Sequence, residues 1–205
     1  MASYRTTPVP VAVPETLYRS LVWLDYRLAV VFSLGLPLVL LIWAAVRREG
    51  ALVRLMQIYW KVASLLLIST LLLANQRPLG FVLVLVGQLL LIGAVWFWVD
   101  LNEELADLPP WRALPLTVRI WRWSLTLWAL AGALFSLTSL ACLGKAAMAG
   151  PRCAVWLQAP QGLNDQVSGL FGFVFGANWT ATIAGFVGYV ALVAYVVGLL
   201  QWLLV

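Results

Sequence analysis

The chain has 205 residues, of which 63% are hydrophobic and only 10% are charged. A soluble enzyme of this length is excluded, because 13 basic and 8 acidic residues cannot supply the charged surface that it needs. The sequence has no histidine, the usual ligand of haem, chlorophyll and non-haem metals, and two cysteines cannot build a zinc or iron–sulfur site alone. The basic residues are scattered among loops and form no stripe, so the net charge of +5 indicates membrane topology and not nucleic-acid binding.

Five apolar stretches are long enough to cross about 30 Å of hydrocarbon at about 1.5 Å per residue. They predict an all-α protein, a polytopic membrane helix bundle that forms one domain over residues 1–205. The predicted spans are residues 28–46, 55–75, 79–99, 123–144 and 180–205. The second and third spans should form an antiparallel hairpin because their link is short. Pro37 is expected to kink the first span without breaking it.

The N-terminal segment, residues 1–27, precedes the first span. Residues 1–15 contain three prolines and no apolar core typical of a signal peptide, so the first span is expected to stay in the mature protein. Residues 16–27 place Leu17, Leu21 and Leu24 on one stripe, which predicts a short interfacial helix before the chain turns inward. Without Arg5, which lies more than 20 residues before the first span, seven basic residues on the side of the first link against five on the N-terminal side favour a cytoplasmic location for that link and for residues 100–122.

Four acidic residues follow the third span at helical spacing: Asp100, Glu103, Glu104 and Asp107. A helix that continues out of the span would align these carboxylates on one face. Such a face could hold magnesium and a diphosphate, as in membrane prenyl- and phosphotransferases, but those enzymes need a second acidic cluster. The interpretation that we favour is a solvated helix end, whose carboxylates pair with a basic partner surface or with nearby arginines. The arginines available in this chain are Arg112, Arg119 and Arg122.

Cys142 and Cys153 lie on the predicted non-cytoplasmic side, and the ten residues between them can close a disulfide loop. A disulfide and two unpaired cysteines are both compatible with this pattern. Residues 145–179 mix polar and aromatic side chains and are interrupted by Gly169, Gly172 and Gly176. We therefore expect an extramembrane or interfacial cap there and no sixth span.

Within the predicted spans, Gln88 is the strongly polar side chain at mid-depth, which argues against a transport pathway. Trp128, within the fourth span, is expected to make a helix–helix or lipid contact. In the last span, small residues recur along one side and would let another helix approach closely, either within the chain or from a partner. These residues are Ala184, Gly188, Ala191 and Gly198.

Three strings resemble an uncharacterised family of multi-pass membrane proteins found in cyanobacteria. They are LVWLDYRLAVVFSLGLPLVLLIWA at 21–44, WVDLNEELADLPPWRAL at 98–114 and CAVWL at 153–157. The resemblance covers most of the chain and carries no catalytic signature. It implies the thylakoid or cytoplasmic membrane of a cyanobacterium as the setting, and no enzymatic activity.

Together these features predict a non-catalytic accessory or assembly subunit that packs against a larger photosynthetic membrane complex, with a photosystem as the first candidate. We expect no cofactor of its own, but contacts with chlorophyll, carotenoid or lipid at the partner interface. Docking would use the acidic cluster and the small residues of the last span. The alternative is a membrane lipid- or isoprenoid-processing enzyme that uses the acidic cluster at 100–107. A small transporter is a weaker third option, because the spans offer little intramembrane polarity.

Overall fold

A computed structural model describes residues 15–109 and 111–204, with side chains except those of residues 99–101, 145–146 and 202–203. These residues form helices and no strand, which confirms the predicted all-α membrane bundle. The three early prolines lie outside the described residues. Among the described residues, five helices are long and apolar enough to cross a membrane: Glu15–Arg47, Gly50–Ala74, Leu79–Trp96, Ala113–Leu143 and Ala181–Gln201.

The first of these helices is one continuous rod in three parts. They are α1 (Glu15–Ala29), a π-helical segment (Val30–Gly35) and α2 (Leu36–Arg47). Residues 16–27 are helical as predicted, but they continue directly into the span and do not turn before it. The reason is that no helix-breaking residue precedes Gly35 in this stretch. The leucine stripe at Leu17, Leu21 and Leu24 is exposed along the rod.

The π segment lets the helix pass Pro37 without breaking. The N–H of Leu36 bonds to the carbonyl of Val31, five residues back, and Pro37 has no N–H to donate to Phe32 or Ser33. Two buried side chains supply the missing donors. Trp121 Nε1 donates to the Phe32 carbonyl at 2.9 Å, and the Tyr59 hydroxyl donates to the Ser33 carbonyl at 2.9 Å. The π segment is therefore fixed from outside by two neighbouring helices.

The bundle core is built on the hairpin of α3 (Gly50–Ala74) and α4 (Leu79–Trp96). Glycines let the two helices pack closely: a Cβ at Gly87 would lie 2.7 Å from Leu66 Cδ2. Helix α6 (Ala113–Ser136) and its 3-10 extension (Leu137–Leu143) pack against α4. The largest buried cluster therefore joins α2, α3, α4 and α6.

Shorter and peripheral helices complete the chain. They are α5 (Val99–Asp107), α7 (Lys145–Met148), α8 (Pro151–Phe175) and α9 (Ala181–Leu204). A helix continuing out of the third span was predicted, but α5 is separate from α4. The backbone of Trp98 between them is extended, with ψ of 95°. Helix α8 runs through Gly169 and Gly172 and ends at Gly176, whose φ is +65°. It contacts α1, α3 and the 3-10 extension near one end of the bundle.

Cys142 and Cys153 form a disulfide with a Cα–Cα distance of 5.7 Å, and the bond joins the 3-10 extension of α6 to α8. Next to it, Trp156 is buried and donates from Nε1 to the Tyr18 hydroxyl at 2.7 Å. The Tyr26 hydroxyl donates to the Trp156 carbonyl at 3.0 Å. The first turns of α8 are thus held to both α1 and α6.

We expect Cys142→Ser to lower the free energy of unfolding by about 3 kcal/mol, because the disulfide closes a loop of this size in the unfolded chain. Denaturant unfolding of the purified protein in detergent, with and without reductant, measures the change. Ala141→Ser is the matched control, since Ala141 is exposed and adjacent. A reductant that leaves the wild-type unfolding curve unchanged would contradict this prediction.

Candidate functional site

A cavity of about 520 Å³ lies among α1, the π segment, α3, α4, α6 and α8. This volume is within the range of pockets that bind small ligands. Most of its lining is apolar. The polar side chains on its wall are Asp25, Arg27, Ser33, Ser69, Thr70, Gln88 and Gln166.

Asp25 and Gln88 meet at the inner wall of this cavity. Trp128 Nε1 donates to Asp25 Oδ1 at 3.0 Å, and the Ser136 hydroxyl donates to Gln88 Oε1 at 3.0 Å. Gly132 of α6 makes room for both side chains. A Cβ at this position would lie 2.5 Å from Gln88 Nε2 and 3.0 Å from Asp25 Oδ1. We name Asp25, Gln88, Trp128, Gly132 and Ser136 the polar cluster.

The polar cluster retains hydrogen-bonding capacity. Among the described residues, Asp25 forms no ion pair, and no hydrogen bond reaches its second carboxyl oxygen. Gln88 is 1% exposed, and its Nε2 donates to no acceptor in the described part of the chain. Gln88 lies half-way along α4, so Asp25 is also deep within the bundle. An ionisable side chain at such a depth is costly and typical of a functional site.

Sequence reasoning missed Asp25 because it placed the start of the first span at Leu28, after Arg27. The first spanning helix begins earlier, so Asp25 joins Gln88 as a strongly polar side chain within the spanning helices. The available signal was the absence of any helix breaker between Thr16 and Gly35, which allows one long rod. Trp128 makes the expected helix contact, being 7% exposed, but its indole N–H also binds Asp25.

The acidic cluster lies on α5. Glu104 pairs with Arg54 of α3, while Glu103 and Asp107 are exposed; Asp100 is helical, but its side chain lies outside the described residues. Among the described side chains of the cluster, none forms an ion pair with Arg112, Arg119 or Arg122. Arg112 lies 3.9 Å from Glu49, and Arg122 donates to the Val95 carbonyl and to Asn102 Oδ1. Within the described residues, no three acidic, cysteine or histidine side chains are grouped to hold a metal.

Arg122 lines a second cavity, of about 360 Å³, together with Trp96, Asn102 and Arg119. It is 6% exposed, and its guanidinium carbon lies 4.2 Å from the centre of the Trp96 ring. The Nε atom of Arg122 has no hydrogen-bond partner among the described residues. With Arg119 and Arg122 on its wall, this second cavity is chemically suited to an anionic group.

The small residues of α9 divide into two groups. Ala184 is fully buried, and Gly188 packs against Leu72 of α3, where a Cβ would lie 3.0 Å from Leu72 Cδ2. Ala191 is half-buried, whereas a Cβ at Gly198 would meet no atom within 4 Å. Only 17% of the most apolar window of α9 is buried, against 44% for α3. Among the described residues, the first half of α9 therefore packs against α3, whereas Gly198 in the second half faces open space.

Residues 19–205 match a family described as a protein of unknown function, DUF3177. The chain belongs to the DUF3177 family. The five apolar helices agree with the multi-pass membrane architecture that the sequence strings implied. No curated protein and no solved structure matches the chain.

Proposed function

We propose that this DUF3177 protein is a non-catalytic accessory or assembly subunit of a photosynthetic membrane complex. A photosystem in the thylakoid or cytoplasmic membrane of a cyanobacterium is the first candidate partner. The observation that carries the proposal is the second half of α9, where Gly198 faces away from the rest of the described chain.

Helix association in lipid depends on close approach, because lipid is as apolar as the helices themselves. The first half of α9 shows this mode within the chain, since Gly188 packs directly against Leu72. The same small-residue stripe continues through the half-buried Ala191 to Gly198, which meets no partner helix among the described residues. A transmembrane helix of a larger complex fits this surface.

The photosynthetic setting is supported by the resemblance of residues 21–44, 98–114 and 153–157 to cyanobacterial membrane proteins. Without histidine, chlorophyll would need another ligand, such as a carbonyl, an amide or water. We therefore propose that chlorophyll, carotenoid and lipid contact this subunit at its interface with the partner. Glu103 and Asp107, exposed on α5, offer a further charged contact to a basic partner surface.

We expect Gly198→Leu to reduce recovery of the partner complex while leaving the stability of the isolated protein nearly unchanged, because a Cβ at position 198 lies in open space among the described residues. Gly188→Leu should instead destabilise the isolated protein, since it would clash with Leu72. The measurement is an affinity pull-down of the tagged full chain from gently solubilised native membranes, followed by native gels, absorption spectra and mass spectrometry.

Val197→Leu is the matched control, because Val197 is exposed beside Gly198 but is already bulky. A green band with photosystem subunits for wild type and V197L, depleted for G198L, would support the proposal. A colourless band that holds this chain alone would contradict it. A second test is the double variant Glu103→Gln/Glu104→Gln: release from the complex supports docking through α5, and loss of a magnesium-dependent activity on isoprenoid diphosphates would favour an enzyme.

A further inference from the structure

We propose that the 520 Å³ cavity binds an amphiphile whose polar end is a neutral hydroxyl group. The hydroxyl would lie between Asp25 and Gln88, and the hydrocarbon would lie along the apolar wall. This inference is independent of α9 and of any partner complex.

The polar end of the cavity offers one acceptor and one donor. The second oxygen of Asp25 accepts, and Nε2 of Gln88 donates, since its Oε1 already accepts from Ser136. Gly132 holds the two groups close, with Asp25 Oδ1 and Gln88 Nε2 both within 3.0 Å of one point beside it. Both groups lie on the cavity wall. An atom that both donates and accepts hydrogen bonds would satisfy Asp25 and Gln88 together.

A hydroxyl oxygen has this combination, because it donates one hydrogen bond and accepts others. An ammonium group only donates, so it would bind Asp25 and leave the Gln88 N–H groups unpaired. A phosphate or carboxylate only accepts, and Asp25 would repel it. Arg27, the cation on the cavity wall, is exposed and forms no ion pair with Asp25 among the described residues, so it does not offset this repulsion at the polar cluster. The donor and acceptor pattern thus selects a neutral hydroxyl over either kind of charged headgroup.

The remainder of the cavity suits a hydrocarbon. Its wall includes Leu34, Leu66 and Val84, and the polar side chains occupy a small part of it. Val30, Val31 and Leu67 line the cavity and are also exposed on the outer surface of the bundle. The cavity therefore opens between the π segment and α3 toward the lipid, so a long-chain molecule can enter from the bilayer.

The test uses photolabelling of the full chain in detergent with a long-chain alcohol that carries a diazirine. We expect mass spectrometry to place the label on residues that line the cavity. Unlabelled cetyl alcohol should compete, whereas cetyl methyl ether, which cannot donate, should compete about tenfold less well, as expected for loss of a hydrogen bond to a charged group.

Isosteric variants test the polar cluster directly. Asp25→Asn replaces the acceptor by a donor, and Gln88→Glu replaces the donor by an acceptor, so each should weaken labelling. The double variant D25N/Q88E exchanges the two roles, and a rotated hydroxyl should bind again. Asp107→Asn, on exposed α5, is the matched control and should label like wild type.

Three results would overturn the inference. They are labelling outside the cavity, equal competition by the alcohol and its methyl ether, and a double variant that stays as weak as the single ones. Equal competition would mean that the cavity holds only hydrocarbon and that Asp25 and Gln88 bind water. Gly198 does not line the cavity, so the G198L variant should be labelled like wild type. Failure of the partner proposal would therefore leave the labelling result unchanged.

Discussion

Replacing Tyr59 by Phe should lower the free energy of unfolding by about 1–3 kcal/mol, the cost of leaving a buried carbonyl unpaired. Tyr59 is fully buried, and its hydroxyl is the donor that reaches the Ser33 carbonyl. Trp121→Phe should cost at least as much, because it removes the donor to Phe32 and also part of a buried ring. Both values can be measured by denaturant unfolding in detergent micelles.

Trp60→Phe is the matched control for Trp121→Phe. The Trp60 indole nitrogen has no hydrogen-bond partner among the described residues, so this variant loses packing but no hydrogen bond. In a Pro37→Ala background, the backbone N–H restored at position 37 can bond to a freed carbonyl. Tyr59→Phe should then lower the free energy of unfolding by less. An equal cost in both backgrounds would show that Tyr59 contributes through packing alone.

Gly132→Ala is the second substitution with a large expected effect. Its Cβ would lie 2.5 Å from Gln88 Nε2, so the amide must move away from Ser136 and Asp25. We expect a loss of about 1–3 kcal/mol in the free energy of unfolding, as for overpacking of a well-filled core. Gly132→Val should lower the free energy of unfolding further, because valine adds two methyl groups to the Cβ that already meets Gln88 and Asp25.

Gly93→Ala is the matched control for Gly132→Ala. Gly93 is also helical, but a Cβ there would meet no atom within 4 Å. Alanine favours a helix over glycine by about 1 kcal/mol, so this variant should be neutral or more stable. Equal stability changes at positions 93 and 132 would contradict the close approach of Gln88 and Asp25 to Gly132.

The spanning helices were predictable because apolar length is a local property of the sequence. The third predicted span, 79–99, ends within three residues of α4, and the hairpin link at 75–78 is where it was expected. The rod also passes Pro37 without a break, as expected. The π segment that makes this possible depends on Tyr59 and Trp121, which are distant in sequence, so no local pattern could indicate it.

The polar cluster could not be predicted for a related reason. Asp25, Gln88 and Gly132 come from three helices, and each has an ordinary local interpretation as a flanking charge, an isolated amide and a small residue. Their meeting depends on how the rod packs against α6. For the acidic cluster, the regular local spacing suggested pairing with arginines nearby in sequence. The ion pair that forms instead joins Glu104 to Arg54, fifty residues away.

The length of α4 has a consequence for the surrounding bilayer. At about 1.5 Å per residue, its 18 residues extend about 27 Å, whereas the 25 residues of α3 extend about 37 Å. Because the two helices are packed as a hairpin, α3 must tilt or reach into the headgroup layer on at least one side. The apolar length of α4 is then a few ångströms below the average hydrocarbon layer, whereas the 24 residues of α9 exceed it. Where α4 faces lipid, a bilayer of average thickness would have to thin around it.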